Sequence, residues 1–309
     1  MGVWNWVRGS GTPPQVEAED GDFVFDKTID IAARNFIGMC SRSPNNRFTI
    51  AWVDGGPDQA RTGRYLLLDG KAIVAEGTMP RPNDGKVADN GAFLLNDWGS
   101  PEILSGTLSA FAPDGRVLFT RRFAANLYDN ALSPDGRYAV CQTANAPGED
   151  GNRLTLFDLE AGREIVAFQP ESGWAKSYEF YPEARRLRFL YHDGGAFDYG
   201  FDGTFIDRMR WLAFGLQKGD LLVIEKLIAE GGSKLPPTLA EQLLPATDIA
   251  LRNLRADDGR SRARVLKSRG ICLEAVAEVK HALACYDEAL SLDPKVGVKR
   301  RADALRKVL

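Results

Sequence analysis

Two periodicities divide the chain. From Phe23 to about Arg208 the apolar positions fall in short β-rich runs separated by turn clusters, and beyond Ile206 they recur at helical spacing. The first part repeats. Its turn signatures are Ser43-Pro44-Asn45-Asn46-Arg47, Ala88-Asp89-Asn90-Gly91, Ser133-Pro134-Asp135-Gly136-Arg137 and Tyr181-Pro182-Glu183-Ala184-Arg185, at spacings of 45, 45 and 48 residues. Proline presets φ at the second turn position, and Asn or Gly tolerates the reversal that follows. A first strand precedes each turn, as in Phe36–Cys40 and Trp174–Phe180. The second strands are Phe48–Val53, Ala92–Asn96, Tyr138–Thr143 and Leu187–His192. The third are Tyr65–Leu68, Thr107–Phe111, Leu154–Phe157 and Ala196–Phe201. A second tight turn leads to the fourth: Ala72–Ala75, Val117–Thr120, Glu164–Phe168 and Phe205–Arg208. Phe23–Ala33 supplies two further short strands around Asp26-Lys27, half a unit.

A period of this length marks propeller blades or a repeat array. Leu132–Phe168 carries the pattern most fully. Its LSPDGR resembles the first turn of WD-type and related bacterial propeller repeats, and LTLFDLEAGREIVAF resembles their third strand, turn and fourth strand, with Phe157 where the usual Trp stands. The Gly-His dipeptide of true WD repeats is absent. The expectation is an all-β propeller-like repeat domain over 21–210, with four full four-stranded units plus a half unit, preceded by a flexible lead over 1–20. Whether such a set closes into a ring, alone or as a self-associating dimer, is left open by the pattern.

The helical part, 211–309, is expected to form an all-α domain. A hairpin of Arg208–Gln217 and Asp220–Glu230 has Asp220 as N-cap and Gly231-Gly232 as stop. Helices follow from Pro236-Pro237 to about Arg255, over Ser261–Ala275, over Ala277–Leu292 and over Val296–Val308. Within them Leu266, Gly270, Ala282, Tyr286, Ala289 and Pro294 resemble a tetratricopeptide repeat over about 263–296. Small Gly270 and Ala282 let two helices approach, Tyr286 and Ala289 fill the contact, and Pro294 ends the second helix. Arg269 stands where that family has Leu, Leu273 replaces its aromatic, and Ile271 stands where carboxylate-clamping members have Asn.

The composition, 44% apolar and 26% charged, suits a folded globular protein. No apolar run approaches a membrane span, and the N-terminus lacks a secretory pattern, so a cytoplasmic location is expected. Trp4 and Trp6 could give weak anchoring to a surface. The four cysteines form no metal or redox spacing and read as buried thiols. His192 and His281 lie in different domains, outside any nucleophile or metal motif, and no phosphate-cradling glycine loop occurs. No catalytic residue, metal or cofactor is therefore expected.

The charge is uneven: residues 1–204 carry a net −8 and 205–309 a net +5. Loops after the second strands hold Asp54, Asp97-Trp98, Asp150 and Asp193, which a ring would gather on one face as a carboxylate rim, with Trp174 nearby. Such a rim could meet a basic partner or bind a cation, although Asp-Gly is also plain turn chemistry. The basic residues Arg260, Arg264 and Lys267 mark a second candidate surface. The absence of stacking aromatics there argues against nucleic acid. The leading expectation is a non-enzymatic protein–protein interaction module, an adaptor, assembly subunit or inhibitory binder. Alternatives are a ligand- or metal-binding propeller using the acidic rim, and a nucleic-acid binder using the basic helices.

Overall fold

The computed structural model describes residues 24–25, 27–56, 62–99 and 102–309, and the anticipated lead with Trp4 and Trp6 lies outside them. The chain divides into two compact units, residues 1–206 and 207–309.

Among its described residues, the first unit forms four antiparallel sheets. The first runs in the order β1 (Val24–Phe25), β2 (Thr28–Ile31), β3 (Phe36–Arg42), β4 (Phe48–Val53), β5 (Gly63–Asp69) and β6 (Ala72–Met79). The second holds β7 (Pro82–Val87), β8 (Phe93–Asp97), β9 (Gly106–Phe111) and β10 (Val117–Phe123). The third holds β11 (Leu127–Leu132), β12 (Tyr138–Thr143), β13 (Leu154–Asp158) and β14 (Arg163–Phe168). The fourth has only β15 (Ser177–Tyr181), β16 (Arg186–Leu190) and β17 (Ala196–Gly200).

Successive sheets pack face to face, which is why their middle strands do not alternate. All five residues of β8 and all six of β12 are buried, because each strand has a neighbouring sheet on both faces. Phe48, Ile50, Trp52 and Leu67 of the first sheet meet Val87, Phe93, Leu95 and Phe111 of the second. Leu94, Leu108 and Phe123 meet Ala139, Cys141 and Phe157 of the third. Val140, Leu154 and Leu156 meet Tyr178, Leu187, Phe189 and Tyr199 of the fourth.

The expected period holds for the first three units, with two departures elsewhere. Residues 205–208 do not form a fourth strand in the last unit. One bridge, Tyr199 to Phe205, pairs there before helix begins at Arg208. The Phe205 ring lies flat on Tyr199 at 4.2 Å, so its apolar character serves stacking rather than a ladder. The half unit is not a separate blade either. Its strand β2 pairs with β3 and makes the first sheet six-stranded. Among the described residues, the four sheets do not close into a ring.

The tight turns bind neighbouring sheets together. Fully buried Ser133 Oγ donates to Asp135 Oδ1 at 2.5 Å and accepts the Tyr138 amide at 2.8 Å. Ser43 repeats this with Asn45 and the Phe48 amide. Between sheets, the Asn45 amide donates to Asp89 Oδ1 (2.8 Å), the Asp89 amide to Pro134 O (2.8 Å) and Asn90 Nδ2 to Asp135 O (2.7 Å).

The second unit is helical: α1 (Arg208–Lys218), α2 (Leu221–Glu230), α3 (Pro237–Asn253), α4 (Gly259–Ala275), α5 (Val279–Leu292) and α6 (Lys299–Arg306). Asp220 Oδ1 accepts the Leu222 amide at 2.8 Å and caps α2 as expected. Asp258 Oδ1 caps α4 through Ser261 N at 3.0 Å. Helix α5 starts at Val279 rather than Ala277, which occupies a left-handed turn at φ 62°. Leu266, Ala282, Tyr286 and Ala289 are buried in one core with Val298, Ala302 and Leu305, and Pro294 lies exposed just beyond α5. A Cβ on Gly270 would stand 2.4 Å from Tyr286 Cε1, so this glycine permits the close approach of α4 and α5.

Candidate functional site

The loops between second and third strands and the connections entering each first strand share one end of the sheets, opposite the bonded turns. The carboxylates expected there are present, but each is held by protein donors. Asp97 is buried, and its Oδ1 accepts the amides of Arg81 (3.2 Å) and Gly99 (2.8 Å). The Arg81 side chain is itself buried. Its Nη1 donates to Gly99 O at 3.3 Å, its Nε lies 3.5 Å from Asp54 Oδ1, and its guanidinium is 5.7 Å from the Trp98 ring centroid. One residue thus gathers all three: the Arg81 guanidinium lies by Asp54 and Trp98, and its backbone amide holds Asp97.

Asp150 is treated the same way in the next sheet. It accepts the Ala124 amide at 2.7 Å and pairs with Arg121 at 3.3 Å. Asp193 Oδ1 accepts the Gly195 amide at 3.0 Å within its own turn. The four aspartates therefore lie at this end as the loop positions require, but Asp54 and Asp150 are paired with arginines between sheets and Asp97 is amide-bound within its own sheet, so they do not form a bare acidic rim. Among the described residues, no group of three His, Cys, Asp or Glu side chains could hold a metal ion.

Aromatic rings are the groups this end leaves open. Trp98 is 45% exposed, Tyr128 51% and Trp174 41%, and Ile103 and Leu104 stand exposed in the same loop region as Trp98. Trp174 does not lie on a strand as expected but three residues ahead of β15, and its ring meets Tyr128 at 4.3 Å between centroids. Tyr128 was not singled out by sequence reading. The register of β11 on β12 shifts between Leu127 and Asp129, so Tyr128 is the extra residue of a β-bulge, a device that re-aims a side chain. The corresponding residue of the preceding sheet, Asn83, is also bulged, between Pro82 and Asp84. In the amide orientation that satisfies both groups, Asn83 accepts from Trp98 Nε1 at 2.7 Å.

Trp174 is presented by a hydrogen-bonded loop. Buried Ser172 donates its amide to Tyr199 Oη (3.2 Å), and its hydroxyl is 2.8 Å from Tyr199 Oη and 2.5 Å from Tyr191 Oη. Gly173 follows at φ 76°, and Ala175 is buried against the fourth sheet. The ring between these two anchors projects outward.

Behind the aromatic pair, the first strands carry a polar cluster. Lys86 Nζ on β7 is 2.8 Å from both oxygens of Asp84, and Asn130 Nδ2 on β11 donates to Asp84 Oδ2 at 2.7 Å. Asp129 accepts only the Asn130 amide in its own strand, at 2.8 Å. Its burial pushes its carboxyl up to about 6, with Lys86 opposing and Asp84 reinforcing the rise. On β15 the Tyr178 hydroxyl is buried without a hydrogen-bond partner, and burial together with the Asp129 charge drives it well above the usual phenol range. Only the consecutive polar residues inside these short strands, Asn83-Asp84 with Lys86 and Asp129-Asn130, could have flagged this cluster from sequence.

The basic residues of the helical unit do not form one patch. Arg264 makes two bonds to Glu225 (Nε–Oε1 3.0 Å, Nη2–Oε2 2.5 Å), and Lys267 Nζ donates to Val296 O at 3.2 Å. Arg260 is exposed. Arg262 pairs with Glu288 at 2.9 Å, and Arg269, standing where the repeat family has Leu, bonds Thr247 (3.1 Å) and Asp248. A groove of about 430 Å³ opens between the α2–α3 connection, α4 and α6, lined by Lys234, Leu235, Pro236, Ile271, Glu274 and Arg301 among others. Glu274 there is engaged by Arg301 (3.0 Å) and by the Tyr286 hydroxyl (2.8 Å). Burial pushes the Cys272 thiol up to about 12, as a buried structural cysteine requires.

No protein-family model matches the chain, and no curated protein matches it. Among solved structures, the chain is similar to the C-terminal WD40 domain of Sif2, at 13% identity over 52% of this chain and 45% of that one, with a TM-score of 0.37. It is also similar to a structure described as the eukaryotic initiation factor, at 15% identity over 43% and 32% of the two chains, with a TM-score of 0.34. The chain spans less than half the length of either. Likeness at this level carries no argument, and the blade-like description of the sheets rests on their own strand pairing.

Proposed function

We propose that the chain is a non-enzymatic interaction protein that binds another protein through the loop end of its sheets. The observation that carries this reading is the exposed Tyr128–Trp174 ring pair, with Trp98 presented from the same end. Large, rigid aromatics held in place by bulges and buried hydrogen bonds are what binding hot spots are made of, because little side-chain freedom is lost when they are covered. The carboxylates around them are tied to Arg81 and Arg121, which favours a structural role for the acids and a contact role for the rings. The helical unit adds a second surface. Its α4–α5 hairpin is read as tetratricopeptide-like, on the packing of Gly270 against Tyr286, and the groove beside α6 would serve a partner as well. In this reading the protein works in the cytoplasm as an adaptor, assembly subunit or inhibitory binder.

The test is quantitative affinity purification of the tagged chain from its native cells. A Tyr128→Ala/Trp174→Ala variant is expected to lose its co-purifying protein at least tenfold, while Arg260→Ala retains it. Equal recovery by both variants would overturn the assignment of the ring pair as the anchor.

A further inference from the structure

The groups behind the ring pair lie on neighbouring first strands. Asp129 and Asn130 Oδ1 on β11 are acceptors, and the Tyr178 hydroxyl on β15 keeps its proton. Asn130 is 1% exposed, its amide nitrogen is engaged by Asp84, and its Oδ1 has no hydrogen-bond partner. The Tyr178 hydroxyl, on a side chain 8% exposed, is likewise unpartnered and within electrostatic reach of both Asp129 and Tyr128. The cation whose charge opposes the rise of Asp129, Lys86, has its ammonium on both oxygens of Asp84. Asp129 is thus a half-buried carboxylate without a cation of its own, directly after Tyr128, whose exposed ring lies 4.3 Å from that of Trp174.

A half-buried carboxylate with one backbone donor and no cation of its own, beside exposed aromatic faces, calls for a flat cation with several N–H groups. A guanidinium fits this better than an ammonium, since it stacks on rings while donating in its own plane. We propose that this end of the sheets accepts an arginine side chain from the partner protein, with the Asp129 carboxylate as acceptor and the Tyr128–Trp174 pair stacked on the guanidinium. The site rests on the protein-binding reading above and names what that partner inserts. The net charge of −8 on residues 1–204 favours the approach of a basic segment.

The probe is an end-blocked glycine–serine peptide with one central arginine, titrated into the full chain and followed by isothermal calorimetry. Its citrulline and lysine counterparts are measured beside it. The arginine peptide is expected to bind saturably, the lysine peptide several-fold more weakly, and the neutral citrulline peptide at least tenfold more weakly. Asp129→Asn and Tyr128→Ala/Trp174→Ala should each weaken arginine binding at least tenfold, with unchanged far-ultraviolet dichroism. Binding should also fall as the pH drops below about 6, where Asp129 takes up its proton in the field of Lys86, Asp84, Cys141, Tyr178 and Tyr128. Equal affinity for citrulline, no effect of Asp129→Asn, or no saturable binding would each overturn the site. The two readings fail separately. If the ring variant loses its protein partner while Asp129→Asn keeps it and the peptide does not bind, only the arginine site is wrong. If the peptide binds and no protein depends on the rings, only the protein-binding reading is wrong.

Discussion

Asp129 and Arg81 show how two charged residues one unit apart in the repeat take opposite roles. Arg81 is buried with Asp54 and Gly99 O beside its guanidinium and Asp97 on its amide, so it organises Asp54, Asp97 and the Trp98 loop. Asp129 is half-buried with one backbone donor and a neighbouring like charge, and it carries the cost of that placement. The cost has a direction. Because its folded pKa is raised to about 6 from the ordinary carboxylate value, the native chain holds a proton between roughly pH 4 and 6 that the unfolded chain has released. Stability therefore falls as the pH rises through that window. Asp129→Asn removes the titration. It is expected to stabilise the protein by about 1–2 kcal/mol at pH 7.5, a value reduced for solvent screening, and by nothing below pH 4. Urea unfolding of both proteins at pH 7.5 and 4 measures this, and a pH-independent difference would contradict it. A residue that destabilises the fold and improves when neutralised is the kind kept for binding.

Elements differ in how much of their geometry is local. The Ser-Pro turns were legible because every bond within them, from Ser133 Oγ to Asp135 and Tyr138, spans five residues or fewer. The α4–α5 hairpin was legible because the small residues at Gly270 and Ala282 can only mean close helices. The bulges at Asn83 and Tyr128 were not legible, since each depends on the register of a partner strand rather than on its own sequence. Hence Tyr128 went unnoticed beside Trp174, and the carboxylates looked bare until Arg81 and Arg121 were placed among them. The fourth strand failed at Phe205 because an aromatic can serve a stack as well as a ladder. Helix packing allows a direct check. In Gly270→Val the new side chain would press on Tyr286 Cε1 and Cδ1, 2.4 and 2.7 Å from the added Cβ, and the fully buried ring has no room to withdraw. The variant is expected to lose about 2–3 kcal/mol of the helical unit's stability. The helical part of the far-ultraviolet signal should melt earlier, and an unchanged melt would mean that α4 and α5 can separate without loss.

The whole molecule joins two units whose cores are built by different rules. The sheet unit buries its strands between successive sheets, from Ile50 and Phe93 through Phe157 to Phe189, so that each interface depends on the next. The helical unit gathers Leu266, Ala282, Tyr286 and Leu305 around a hairpin of nearby sequence. Closure of the sheets was the one architectural question the repeat could not answer, because closing a ring depends on the pairing of segments far apart in the chain, and no single repeat encodes it. Two separately constructed cores make a definite statement about unfolding. A chain with one cooperative core gives a van't Hoff enthalpy equal to the calorimetric one, whereas two cores give a smaller value. Scanning calorimetry of the full chain is expected to show the smaller value. Gly270→Val should shift only the portion of the heat absorption that accompanies loss of helix, leaving the remainder at its wild-type temperature. A single symmetric transition that moves as a whole in the variant would instead mean that the sheets draw their stability from the helices.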